Sequence, residues 1–305
     1  MLNIYEQVSL NKRKSLLIIF GFIAFVSFFS WVMSQVFETG LGFVGIALIF
    51  SGVMSFASYY YSDRIVLAMS GARPADRERD FDFYTVTENL AMAARLPMPK
   101  LYVIEDTAMN AFATGRDPDH AVVVATTGIL GRLDRTELEG VVAHELSHVK
   151  NFDIRVMSLV TILVGVVTLL ADWFLRMSFW GFGGRKGDRD SGGNTALFMV
   201  IGFALALLSP IVATLIKLAV SRSREYLADA SAVSITKYPE GLARALEKLS
   251  RDKEPLEAAN KATAHMYIVN PLSNLSKAGA VGLFAGMFST HPPIEERIKR
   301  LREMR

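Results

Sequence analysis

The stretch DRTELEGVVAHELSHVKNFDIRVMSLVTILVGVVTLLADWFL, Asp134 to Leu175, sets two different helices back to back. Asp134, with Glu137 three residues on, is a capping-box signal that opens a helix over Arg135 to about Asn151. Leu138, Val141, Val142, Leu146 and Val149 recur at helical spacing and give that helix an apolar face. His144 and His148 stand four residues apart on one face, with Glu145 beside the first. From Val156 to Leu175 charge disappears apart from Asp172, and the run reaches the roughly 20 residues that cross about 30 Å of hydrocarbon. A water-facing helix therefore leads almost directly into one of membrane length.

Three more runs of this kind lie along the 305-residue chain: Leu16 to Phe37, Thr39 to Ser62 and Ser191 to Ile216. Their presence excludes an ordinary soluble globule. The absence of cysteine excludes disulfides and thiolate metal sites. A net charge of only +3 gives no case for nucleic acid. Lys12, Arg13 and Lys14 precede the first run, and Arg64, Arg73, Arg77 and Arg79 follow the second. The positive-inside rule therefore puts both flanks in the cytoplasm and makes residues 1–62 a transmembrane hairpin. The first run is too long for a signal-peptide core and reads as a retained anchor.

The basic content of Arg176 to Asp190 argues mildly against an outside loop, so the second pair, residues 156–216, either spans or dips in and returns. Asp172 and Arg176 read as a snorkelling pair, and Pro210 as a kink. The water-facing segments 63–155 and 217–305 then share one side and form one mixed α/β domain. Lys100 to Ile104 and His120 to Thr126, with Val122, Val123 and Val124, read as strands.

Two imidazoles four apart on a helix can converge on one zinc ion, leaving Glu145 to take the proton of an attacking water that the metal makes more acidic. With five His and sixteen Glu in the chain, the pattern is expected by chance only about 0.004 times. A catalytic zinc usually takes a third protein ligand. Glu225 and Asp229, four apart in Ser221-Arg222-Ser223-Arg224-Glu225-Tyr226-Leu227-Ala228-Asp229, can both face the His144 helix. Glu225 would bind metal and Asp229 would accept a ligand histidine's second N–H. Spacing alone leaves Glu225 open between that role and a charged helix face at a membrane surface.

His144-Glu145-x-x-His148, the Ser221 to Asp229 stretch, Asn110-Ala111-Phe112-Ala113 and Thr290-His291-Pro292-Pro293 resemble the HtpX branch of membrane zinc metallopeptidases, relatives of the CAAX prenyl endopeptidases. The likeness covers nearly the whole chain. It implies a mainly α integral membrane protein: four transmembrane helices and a cytoplasmic zincin-like α/β protease domain built from two sequence segments. It further implies one Zn2+ per chain held by His144, His148 and Glu225. The setting implied is the bacterial inner membrane, and the substrates are misfolded or damaged membrane proteins.

Asn110 resembles a residue at the substrate or oxyanion position, and His291 with Arg297 six residues on resembles a pair near the transition state. A substrate strand in zincins pairs with an edge strand above the zinc, for which His120 to Thr126 is the expected candidate. His120 and His265 match nothing and read as structural. Ala278 to Phe288 is too short to span and reads as interfacial. A prenyl-peptide processor is disfavoured by four spans rather than seven, a silent zinc scaffold by the retained Glu145, and a channel by spans without inward charges.

Overall fold

A computed structural model describes residues 4–36, 41–182, 222–252, 254, 266–268 and 292–304. Helix α1 (Ile4–Val36) begins well ahead of the first apolar run, so Lys12, Arg13 and Lys14 belong to the helix itself. Within it Ser9–Trp31 is long and apolar enough to cross a membrane. Helix α2 (Leu41–Tyr60) turns through 83° into α3 (Ser62–Ser70), where Asp63 and Arg64 end the second apolar run. Helix α7 (Asp153–Phe182) carries the third run, and its Val156, Val160, Leu163 and Val167 bury against Ile18, Phe22 and Val26 of α1. The fourth run with Pro210, residues 183–193, His265, Ala278 to Phe288 and His291 fall outside the described residues.

Two further strands join the two expected ones. The sheet contains β1 (Arg73–Pro74), β2 (Lys100–Ile104), β3 (Ala111–Gly115) and β4 (Ala121–Thr126), in the order β1-β2-β4-β3. Strands β2 and β4 are parallel, and β3 runs antiparallel to β4. Strand β3 lies between the two expected strands in sequence and pairs with the second of them.

The expectation that β4 is the open edge is corrected by this order. Val122, Val123 and Val124 pair with Lys100, Leu101 and Tyr102 on one side and with Thr114, Ala113 and Phe112 on the other. Their main chain has no free side for a substrate. A near-continuous apolar run is what a strand covered on both faces requires. Val123 faces the large core, whereas Val122 and Val124 face a smaller one with Val66, Leu67, Phe112, Met157 and Tyr267.

The large core lies between the sheet and α4 (Phe81–Ala94), α6 (Arg135–Lys150) and α9 (Pro239–Arg251). A short α5 (Thr127–Arg132) follows β4 and leads to α6. Helix α6 is the axis of the domain: from Glu137 to Val149 every residue except Glu139 is buried. Its start has the full capping box, with Asp134 Oδ1 accepting from Glu137 N at 2.9 Å and Glu137 Oε2 accepting from Asp134 N at 2.8 Å. Gly140 lets α9 approach, because a Cβ there would lie 2.6 Å from Leu242 N. Helices α8 (Arg222–Thr236) and α10 (Ile294–Glu303) close the other side of α6 and supply the remaining residues of the site.

Candidate metal centre

His144 and His148 leave α6 one turn apart, with their ring centroids 4.8 Å apart and their planes nearly perpendicular. Their Nε2 atoms face each other at 3.2 Å. Glu225, on α8, brings Oε2 to 3.8 Å from His144 Nε2 and Oε1 to 3.6 Å from His148 Nε2. One ligand atom from each residue fits within a 4.8 Å group, and all three side chains are buried. A tetrahedral ion with bonds of about 2.0–2.1 Å needs donor pairs about 3.3–3.5 Å apart. The imidazole pair at 3.2 Å and the two carboxylate distances of 3.6 and 3.8 Å, made by different oxygens of Glu225, lie within about 0.3 Å of that spacing, and two imidazoles with one carboxylate suit a borderline-soft divalent cation.

Charge gives a second test of fit. Glu145, Asp153, Glu225 and Asp229 are buried here, and among the described residues Arg224 and Arg297 are the permanent cations buried with them. With neutral imidazoles the described cluster carries two negative charges in excess. Burying such an excess is costly, and a divalent cation cancels it.

Each histidine is held from behind by a carboxylate. Asp229 Oδ1 lies 2.9 Å from His144 Nδ1, and Asp153 Oδ2 lies 3.1 Å from His148 Nδ1. A carboxylate there makes Nδ1 the protonated nitrogen and turns the Nε2 lone pair toward the centre. Burial alone would lower the His148 pKa, but the bond to Asp153 and the charges of Glu225, Asp153 and Glu145 raise it to about 9. A proton held at Nε2 must leave before that nitrogen can bind metal. Burial would raise Asp229; the Arg297 guanidinium and the His144 bond overcome it and hold the carboxyl down to about 2.

Arg297 comes from the final helix and is fully buried. Its Nε and Nη2 grip Asp229 at 2.9 and 2.7 Å, and Nη1 points toward Glu225 Oε2 at 3.8 Å. It acts here as a fork on Asp229, a placement that six-residue spacing from His291 does not reveal. Glu145 is buried beside the centre, close enough for its charge to raise both His148 and Arg297. Asn110 is buried just before β3, its Oδ1 accepting from Ala111 N at 3.1 Å and its main-chain N–H donating to Thr126 Oγ1 at 3.0 Å. His120 sits apart in a short turn, bonded to Asp117 and Arg116. Asp153 is the residue that sequence reasoning missed; its signal was an acidic residue at the first turn of α7, five positions beyond His148.

Residues 77–305 match the model of a family described as Peptidase family M48. A protein named Protease HtpX homolog from Dictyoglomus turgidum is 44% identical over 302 residues, 98% of this chain and 94% of its own. One of the same name from Tropheryma whipplei is 44% identical over 300 residues, 98% of each chain. Among solved structures, the crystal structure of S. mikatae Ste24p aligns with a TM-score of 0.49 and 20% identity, over 90% of this chain and 62% of that one.

Proposed function

We propose, for a chain that belongs to peptidase family M48, a zinc endopeptidase that cleaves misfolded or damaged membrane proteins at the cytoplasmic face of the bacterial inner membrane. Family membership makes it a metalloprotease with protein substrates. The observation that carries the reading further is the convergence of His144, His148 and Glu225 from two helices far apart in sequence, with Glu145 beside them.

Zinc in that triangle would polarise the scissile carbonyl and acidify an attacking water. Glu145 takes the proton of that water as the C–O bond forms, and returns it to the amide nitrogen as the C–N bond breaks. Asp229 and Asp153 keep the two Nε2 lone pairs aimed inward. Arg297, and His291 six residues before it, would balance charge developing on the carbonyl oxygen, and Asn110 would donate to it.

The place of β3 at the end of the sheet, beside α6, supports substrate pairing along it. Thr126 N donates to Asn110 O at 3.0 Å, which sets the ladder so that Ala111, Ala113 and Gly115 turn their main chain outward. Ala111 O accepts from Ile268 N, and Gly115 N donates to Ser158 Oγ. Ala113 is the outward position without a main-chain partner among the described residues. Pairing there gives affinity with little sequence preference, as a quality-control enzyme needs.

Four spans in two hairpins, with protease segments 63–155 and 217–305 on the cytoplasmic side, fit the way α6 leads directly into α7 and Arg224 of α8 bonds Asn11 of α1 and Asp153 of α7. A paired measurement tests the reading: wild type and Glu145→Gln purified in detergent, zinc quantified, and cleavage of casein and of an unfolded membrane protein followed. One zinc per chain in both, with cleavage confined to wild type, is expected. Zinc in both with cleavage in neither points instead to a silent scaffold, and cleavage by the Gln variant removes Glu145 as the base.

A further inference from the structure

Asn11 lies on α1, far outside the span matched to the peptidase family, yet it is buried to 1% exposure against the metal centre. Its Nδ2 donates to Asn151 O at 2.9 Å and to Asp153 Oδ1 at 2.8 Å. The other Asp153 oxygen is the one that holds His148 Nδ1. Arg224, immediately before Glu225, completes the group, with Nη1 3.1 Å from Asp153 Oδ1 and 3.5 Å from Asn11 Oδ1. Both acceptors of the Asn11 amide lie on the tight turn that joins α6 to α7. Phe152 within that turn has a φ of 60°, a conformation a side chain of its size adopts only under constraint. A buried amide is costly unless bonded, so α1 and the turn hold each other in one register.

We infer that Asn11 is a positioning residue for the metal centre. It fixes the α6–α7 turn and the Asp153 carboxylate, and through them the tautomer and aim of His148. The N-terminal helix is thereby part of the site as well as an anchor. The inference rests on the reading of His148 as a metal ligand.

The test uses the whole 305-residue chain in detergent: Asn11→Ala, the near-isosteric Asn11→Asp, His148→Ala, and Ser15→Ala as a control one turn along α1, where the hydroxyl donates to Asn11 O. Zinc affinity is measured by chelator competition, and the site is loaded with cobalt to read its visible absorption band. Outer-shell partners of ligand histidines are worth about 10–100-fold in metal affinity, so Asn11→Ala is expected to lose about tenfold and to shift the cobalt band. Asn11→Asp, which sets a carboxylate against Asp153, loses more. Ser15→Ala changes neither. Wild-type affinity and spectrum in both Asn11 variants, with metal lost in His148→Ala, would overturn the inference alone. Wild-type affinity in His148→Ala would remove the ligand assignment beneath it.

Discussion

Asp229 stands between His144 and Arg297, and the consequences of its loss depend on both. Held down to about 2, its carboxyl is ionised at any working pH, so it always presents an acceptor to His144 Nδ1. Asp229→Asn keeps the shape but not the charge, and zinc affinity should fall about 10–100-fold in chelator competition. An unchanged affinity would mean that His144 is oriented by packing. Removing the fork by Arg297→Met leaves the buried carboxylates uncompensated, and metal-free protein should lose about 3–5 kcal/mol, read from thermal unfolding in detergent. At this scale the sequence was legible where a motif is local: His144, Glu145 and His148 share one helix, whereas spacing left Glu225 open and resemblance to a family assigned it. Asp153 had a local signal that went unread, whereas Asn11 was hidden because its meaning lies in a contact across 142 residues, which no local pattern encodes.

Helix α6 was readable almost to the residue, because capping chemistry and apolar periodicity agree. Asp134→Ala should cost about 1 kcal/mol of stability. Bonds from Thr136 and the Glu137 N–H lower the Asp134 pKa below its ordinary 3.8. A depressed folded pKa means this contribution is full above pH 3.8 and drains away as pH falls further. Asp134→Asn, which can still cap, should flatten that acid dependence in unfolding curves taken from about pH 5 down to about pH 2. Gly140→Ala tests the crossing of α6 and α9: the gain in helix propensity of about 1 kcal/mol is opposed by a clash with Leu242 backbone, and a net loss of about 1–3 kcal/mol is expected. Strand β4 was legible as a strand but not as a central one. Its valines announced burial on both faces, but the partner that covers its second edge, β3, hides in Ala111-Phe112-Ala113-Thr114-Gly115, a small-residue stretch with little strand signature.

On the scale of the whole molecule, the proposed topology has a direct assay because the chain contains no cysteine. A single Cys at position 38 should react with a membrane-impermeant thiol reagent on intact spheroplasts, and one at position 77 only after permeabilisation. Labelling of both from outside would overturn the hairpin. The hydrophobic runs made the membrane legible from composition, while the assembly of one catalytic core from α6, α8 and α10 rested on resemblance, since nothing local joins segments this distant. That assembly has a consequence in time. His148 leaves the ribosome about 150 residues before Arg297, which at about 5–20 residues per second is a delay on the order of 7–30 s. Over the last ~70 residues of that interval Asp229 has been made but has no guanidinium to hold it, so a nascent chain carries an unfinished site. Activity is thus postponed until α10 has been made, by the order of the elements in the gene.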